Sequence, residues 1–338
     1  MTASTRRHPR ARRHPGRGAS RPASAPGGRW YGDAAAMAVL DGGDLAYLAV
    51  RSPRGPHVTP LAFRRQARRL WFVTSRDSVK LRAIAENPRV GGLVRSGDRA
   101  VMWSGKAHLV DPLTVRGLGT NLLELPVAVT GYLLRNFREA AGAVRDRPVP
   151  TLPIARVLIT VDLTCLALLQ GWSVAGAWGP WSRRDLMLRV SPPPSRPSLP
   201  GAIPPLVRRL LSEPSRPAVL GWDTASGPMA IPAVWHHDES RLVASAEAMA
   251  LAGGGPRGPA CLTVDRGDRH SDPREGFLLR GTGRAYRDGS CARVLLGVNT
   301  ITSWTGTKTR TIHIRPARTP GGARPAVEAT REARGGSA

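Results

Sequence analysis

Apolar residues in this chain come in short bursts punctuated by Gly, Pro and Arg, with no long stripe of helical period. Arg156-Val157-Leu158-Ile159-Thr160-Val161-Asp162 shows strand-like alternation, and other bursts run continuously, as strands buried on both faces do. This pattern predicts strands near 45–51, 56–63, 69–75, 89–95, 100–110, 154–162 and 165–172 in the first half. Many short strands joined by Gly/Pro turns point to barrels and away from βαβ units. Helical spacing is confined to short pieces. One follows Ser78, through Lys80, Leu81, Ile84 and Ala85, and stops at Asn87-Pro88; another spans Leu206 to Leu211 with Arg208-Arg209 outward. Leu122 to Leu134 is the longest apolar candidate, broken by Glu124, Pro126 and Gly131. It predicts a helix packed across a barrel, or a short helical hairpin, and no run reaches the roughly 18 residues of a membrane span.

The pattern also repeats. GPHVTPLAF at 55–63 is echoed by GPMAIPAVW at 227–235, LWFVTS at 70–75 by LVASA at 242–246, and MWSGKAHLVD at 102–111 by LLRGTGRAYRD at 278–288. Order is kept and the separation is about 170 to 176 residues, so the repeat is a domain duplication, too long for a solenoid. A chain of 338 residues accommodates two such domains and tails. The expected division is a basic disordered tail at 1–29, a first barrel at 30–182, a Pro-rich linker at 183–202, a second barrel at 203–316 and a disordered tail at 317–338. The halves differ at one place. Where the first has TSRDSVKLRAI, the second has ASAEAMALAGG, with no lysine and no capping pair, so the second is expected to have lost whatever the first does there.

That place is chemically loaded. Thr74 and Ser75 end an apolar strand, Ser78 stands where a helix N-cap would, and Lys80 follows within the first turn. A helix N-terminus offers unpaired N–H groups and about half a positive charge, so hydroxyls and an ammonium beside it make a phosphate cradle. The run T-S-x-x-S-x-K after an aromatic-apolar strand, followed by a helix and Asn87-Pro88-Arg89-Val90, resembles the flavin-binding split barrels of the pyridoxamine 5'-phosphate oxidase superfamily. The resemblance implies that Thr74, Ser75, Ser78 and Lys80 contact a flavin phosphate, and that the strand carrying Val58, Thr59, Pro60 and Phe63 lies along the flavin ring. Members often have Arg before that Lys, where Val79 stands here. The implied fold is mainly β (α+β), two six-stranded split barrels in tandem with a few short helices.

Family members are usually homodimers with the flavin at the interface, so two barrels in one chain imply an intramolecular pseudo-dimer. Such a chain works as a monomer, with homodimerisation left open. The implied cofactor is FMN in one copy, with F420 as the alternative. The implied activity is an oxidoreductase moving hydride to or from a small molecule, and the other class is a non-catalytic flavin- or haem-binding barrel. The flavin itself performs hydride chemistry, so the absence of a nucleophile-base-acid constellation is no obstacle. Residues that would bind a pyridoxal-type phosphate are not recognisable, and vitamin B6 oxidation is not expected.

Composition adjusts this picture little. The formal net charge is +26, yet Lys80, Lys106 and Lys308 are the only lysines and eight arginines with no acid fall within residues 1–30. With no interleaved aromatic-basic motif, no specific nucleic-acid partner is expected. Twin arginines at Arg6-Arg7 and Arg12-Arg13 precede no uninterrupted apolar segment, so they are not read as an export signal. Cys165, Cys261 and Cys291 are scattered, which predicts no disulfide or zinc framework and a cytoplasmic protein without a membrane partner. Trp172, Trp178 and Trp181, with Trp304 in the second half, are expected at corresponding positions, as core plugs first and pocket walls second. Lys308 is an outside candidate for reaching the flavin pocket, and His57 and His108 fall in strands near it.

Overall fold

The computed structural model describes residues 34–43, 45–111, 156–181, 203–213, 216–236, 241–251, 253–266, 275–306, 308–314 and 327–328. The expected tail at 1–29, the Leu122–Leu134 segment and the whole Pro-rich linker lie outside them.

The first half begins with α1 (Ala34–Gly42), a helix that the sequence pattern did not predict, whose Ala36, Val39 and Leu40 are buried. Its alanines favour helix and the glycines after it end it. Then follow β1 (Leu45–Ser52), β2 (Gly55–Gln66), β3 (Arg69–Ser75), α2 (Val79–Glu86), β4 (Arg89–Ser96), β5 (Arg99–Val110), β6 (Arg156–Gln170) and β7 (Ser173–Trp178). The second half comprises α3 (Pro205–Leu211), β8 (Arg216–Thr224), β9 (Gly227–His236), β10 (Arg241–Ser245), α4 (Ala246–Leu251), β11 (Arg257–Asp265), β12 (Glu275–Asp288), β13 (Cys291–Thr305), β14 (Lys308–Ile314) and β15 (Val327–Glu328).

Both halves close into six-stranded rings. The first runs β3-β2-β1-β4-β5-β6 and closes through β3–β6; the second runs β10-β9-β8-β11-β12-β13 and closes through β10–β13. The expected strands at 154–162 and 165–172 are one strand, β6. A bulge at Thr164, where Ser104 pairs with Cys165 and Gly105 with Leu163, bends it without breaking it. β12 and β13 carry the same bulge beside Arg280-Gly281. A Cβ on Gly105 would overlap the Asp162 carbonyl, and one on Gly281 the Gly297 carbonyl, which accounts for the glycine shared by MWSG and LLRG. In the stretch expected to be a tail, Val327–Glu328 pairs with β14.

Each ring is split. β2 pairs with β1 from Gly55 to Ala62 but with β3 only from Phe63 to Gln66, leaving one edge of 57–62 without a strand neighbour. β9 repeats this against β10. Proline cannot donate to a ladder, so Pro56 and Pro60, like Pro228 and Pro232, suit such an edge.

The halves are related by a pseudo-two-fold axis. Ser52 and Thr224 close equivalent hairpins, each hydroxyl bonding the carbonyl of Gly55 or Gly227 at 2.7 Å. The neighbouring equivalents Arg51 and Asp223 pair with each other at 2.6 Å, as positions beside a two-fold axis do. The interior of the first barrel forms one apolar cluster around Phe63, Phe72 and Trp103. The cluster filling the second extends through the seam into Tyr47, Ala49, Val58 and Met102 of the first. The chain is therefore an intramolecular pseudo-dimer. No helix among the described residues is long and apolar enough to cross a membrane.

Candidate functional site

The strand-to-helix junction forms as its sequence implies. Thr74 is buried at the end of β3, and Ser78 caps α2 in extended backbone, its side chain accepting from Leu81 N. Thr74 Oγ1 donates to Ser78 Oγ at 3.3 Å. α2 ends at Asn87, as Asn87-Pro88 predicts. The connecting loop is held from outside by Arg76, whose two terminal nitrogens bond Asp111 at 2.5 and 2.9 Å. Arg76 is thereby neutralised. Lys80 is different: among the described residues no carboxylate pairs with it, and burial pushes its ammonium down from 10.5 to about 8. A desolvated cation at a helix N-terminus suits an oxyanion.

β2 supplies the adjoining wall. Leu61 and Phe63 pack in the first core, so the pleat puts His57 and Thr59 on that same face. His57 is held neutral, its pKa driven well below 6.5 by burial, then by the Lys80 and Arg280 charges. His57 Nδ1 and Thr59 Oγ1 are buried without a hydrogen-bond partner among the described residues. Val58 points the other way: it is fully buried, and its carbonyl accepts from Thr263 Oγ1 of the second barrel at 2.7 Å. Pro60 is half-buried beside it. The seven residues singled out in the sequence thus fall into Thr74, Ser75, Ser78 and Lys80 at the junction, Thr59 and Pro60 along the split edge, and Val58 in the seam.

Arg280, on β12 of the second barrel, was not among them. It is 8% exposed, its Nε has no hydrogen-bond partner among the described residues, and its charge contributes to the lowering of the His57 pKa. The available signal was an arginine in the otherwise apolar LLRG run, at the position where the first half has Ser104.

The equivalent junction of the second barrel is filled by the chain itself. Register places Leu242 opposite Trp235 as Phe72 lies opposite Phe63, so Ser245 corresponds to Ser75 and α4 starts at once, without the Arg76-Asp77 spacer. The second half does have a cap: Ser245 Oγ accepts from Ala248 N at 3.1 Å, correcting the expectation of none. The same hydroxyl donates to Trp172 O at 2.6 Å, and Glu247 Oε2 accepts from Val174 N at 2.7 Å. The β6–β7 turn of the first barrel therefore sits on the second junction. Its lysine-free sequence is matched by a backbone N–H facing a carboxylate.

Other candidates lie elsewhere. His108 is exposed and meets Asp162 at 3.3 Å on the outer face, beside Arg69, so it does not join the His57 wall. Lys308 is exposed on β14, the counterpart of β7, and no hydrogen bond or ion pair among the described residues links β14 to α2. Trp178 packs against the first core and Trp181 and Trp304 against the second; Trp304 faces Thr309 as Leu169 faces Val174, so its counterpart is Leu169 and not a tryptophan. No metal-holding cluster occurs among the described residues.

No family model and no curated protein matches the chain. Solved structures are similar to parts of it. An FAD-binding protein from Mesorhizobium loti is 17% identical over 40% of this chain and 91% of its own, with a TM-score of 0.32. An F420 reductase is 25% identical over 40% and 95%, at 0.29. A general stress protein 26-related protein of the pyridoxinephosphate oxidase family from Clostridium acetobutylicum is 8% identical over 43% and 92%, at 0.32.

Proposed function

We propose that this chain binds one phosphorylated flavin-type cofactor, FMN or F420, at the split edge of its first barrel, and acts as an oxidoreductase on a small molecule. The observation that carries the reading is Lys80: an unneutralised, desolvated ammonium beside a capped helix N-terminus, where its counterpart region in the second barrel is filled by protein. The residues present suit the group. Thr74, Ser75 and Ser78 offer hydroxyls, Lys80 offers the countercharge, and the partnerless Thr59 Oγ1 and His57 Nδ1 offer polar contacts along the wall.

When bound, the flavin would supply the hydride chemistry. The work of this chain is then to hold and to shield. The α2 terminus and Lys80 fix the phosphate, the split edge of β2 presents backbone and Pro60 to a flat ring, and the second barrel excludes water from the far side. Neutral His57 can accept or donate one hydrogen bond without adding charge to the wall.

The absorption spectrum of the purified chain, with mass spectrometry of what it releases on denaturation, separates FMN from F420. Titration with FMN, F420 and riboflavin completes the test, with riboflavin expected to bind more weakly for lack of the phosphate. Two cofactors per chain, or no affinity for either phosphorylated form, would sink the reading.

A further inference from the structure

We propose that Arg280, buried in the seam between the barrels with no acidic partner among the described residues, forms a second oxyanion subsite, separate from the α2 cradle, that receives a carboxylate or phosphate group of a small ligand. The proposal needs only an anion at this position and does not depend on the flavin reading.

Geometry comes first. Arg280 lies between Cys261 on β11 and Thr300 on β13 in the sheet register, so the three side chains share one face of the second barrel. That face is the seam: the Cys261 sulfur and the Val58 side chain both crowd Gly221, and Thr263 Oγ1 donates to the Val58 carbonyl at 2.7 Å. Arg280 is 8% exposed, and among the described residues it has neither an ion pair nor a hydrogen bond.

A guanidinium buried without an acid is costly, because desolvation removes its hydration and nothing replaces it. Cys261 does not compensate, since burial pushes its thiol up to about 12 and keeps it protonated. Arg54 adds another cation nearby. The planar fork of Arg280 is suited to a carboxylate or phosphate.

Thermal melting of the full chain, in chloride at constant ionic strength, tests this by titration with inorganic phosphate and separately with acetate. Preferential stabilisation by one anion identifies the group. Wild type and Lys80→Ala are both expected to gain melting temperature with saturating dependence. In Arg280→Met the apparent affinity of the stabilising anion should fall about tenfold or more, the scale of one charge-assisted contact. Arg99→Gln, which removes an exposed charge on β5, should leave it within about twofold and so controls for general screening. Arg280→Met should also melt above wild type when neither anion is present, because it removes an unpaired buried charge; Arg280→Lys should fold and retain part of the response. Equal anion dependence in wild type and Arg280→Met would overturn the proposal. So would lower stability of Arg280→Met in buffer without phosphate or acetate, or a response that vanishes in Lys80→Ala while surviving in Arg280→Met. Failure of FMN and F420 to bind, with the Arg280-dependent response intact, would remove the cofactor reading and leave this one standing.

Discussion

Lys80 and Arg280 show how differently two desolvated cations can be written in a sequence. Lys80 announces itself, because a hydroxyl-rich strand end, a cap and a lysine are contiguous. Lys80→Ala is expected to weaken FMN binding by about 1.5–3 kcal/mol, or roughly 10- to 150-fold, while exposed Arg82→Ala on the same helix changes it little. Isothermal titration checks both. The pH dependence has a defined sign. An anion favours protonated Lys80, so affinity should be level below about pH 8 and decline above it, by up to about tenfold per pH unit. Lys80→Arg should remove the decline, since guanidinium stays charged. The apo-protein behaves oppositely: with the folded pKa below the unfolded 10.5, stability should rise between pH 8 and 10.5 relative to Lys80→Met. Arg280, in contrast, gains its meaning from a seam between strands far apart in sequence. The LLRG run shows an arginine in an apolar strand; only the register against Cys261 and the Thr263 contact with Val58 place it in the seam.

At the scale of elements, the two strand-to-helix junctions have diverged from one plan. Ser78 caps α2 and also accepts from Thr74, whereas Ser245 caps α4 and also donates to the Trp172 carbonyl of the β6–β7 turn. Ser245→Ala should destabilise the chain by about 1–2 kcal/mol whether or not cofactor is present, since a cap and a carbonyl partner vanish together. Ser78→Ala should cost about 1 kcal/mol in the apo-protein and additionally weaken FMN binding. Chemical denaturation with and without FMN separates these outcomes. Strands and α2 were legible because alternation, prolines and caps are local signals. The continuity of β6 was not, since a bulge at Thr164 disturbs the alternation without any Gly or Pro to mark it. The filled second junction was half legible: the missing lysine was plain, but the turn that occupies the site comes from the other barrel.

For the whole molecule, equivalent positions meet across the axis. Arg51→Asp should destabilise the chain by about 1 kcal/mol or somewhat more by opposing Asp223, and combining it with Asp223→Arg should recover most of the loss. A double-mutant cycle by urea denaturation reads the coupling directly. The duplication was legible from three ordered echoes, whereas the axis was not, because a pair such as Arg51 and Asp223 has opposite charges and no sequence likeness. Sedimentation should show a functional monomer, since each barrel already has its partner.

The apolar cluster that runs through the seam has a consequence for synthesis. The first barrel is complete once β7 ends at Trp178, yet the strand that brings Arg280 to it is not finished until Asp288. At roughly 5–20 residues per second on the ribosome, the intervening stretch takes about 6–20 s. During that interval Tyr47, Ala49, Val58 and Met102 have no second barrel to cover them. Ring closure is itself slow, because β3 must find β6 across most of the domain. A nascent chain is therefore most open to joining a neighbour in place of its own second half during this interval, and slower translation between 178 and 288 should raise the yield of swapped or aggregated product.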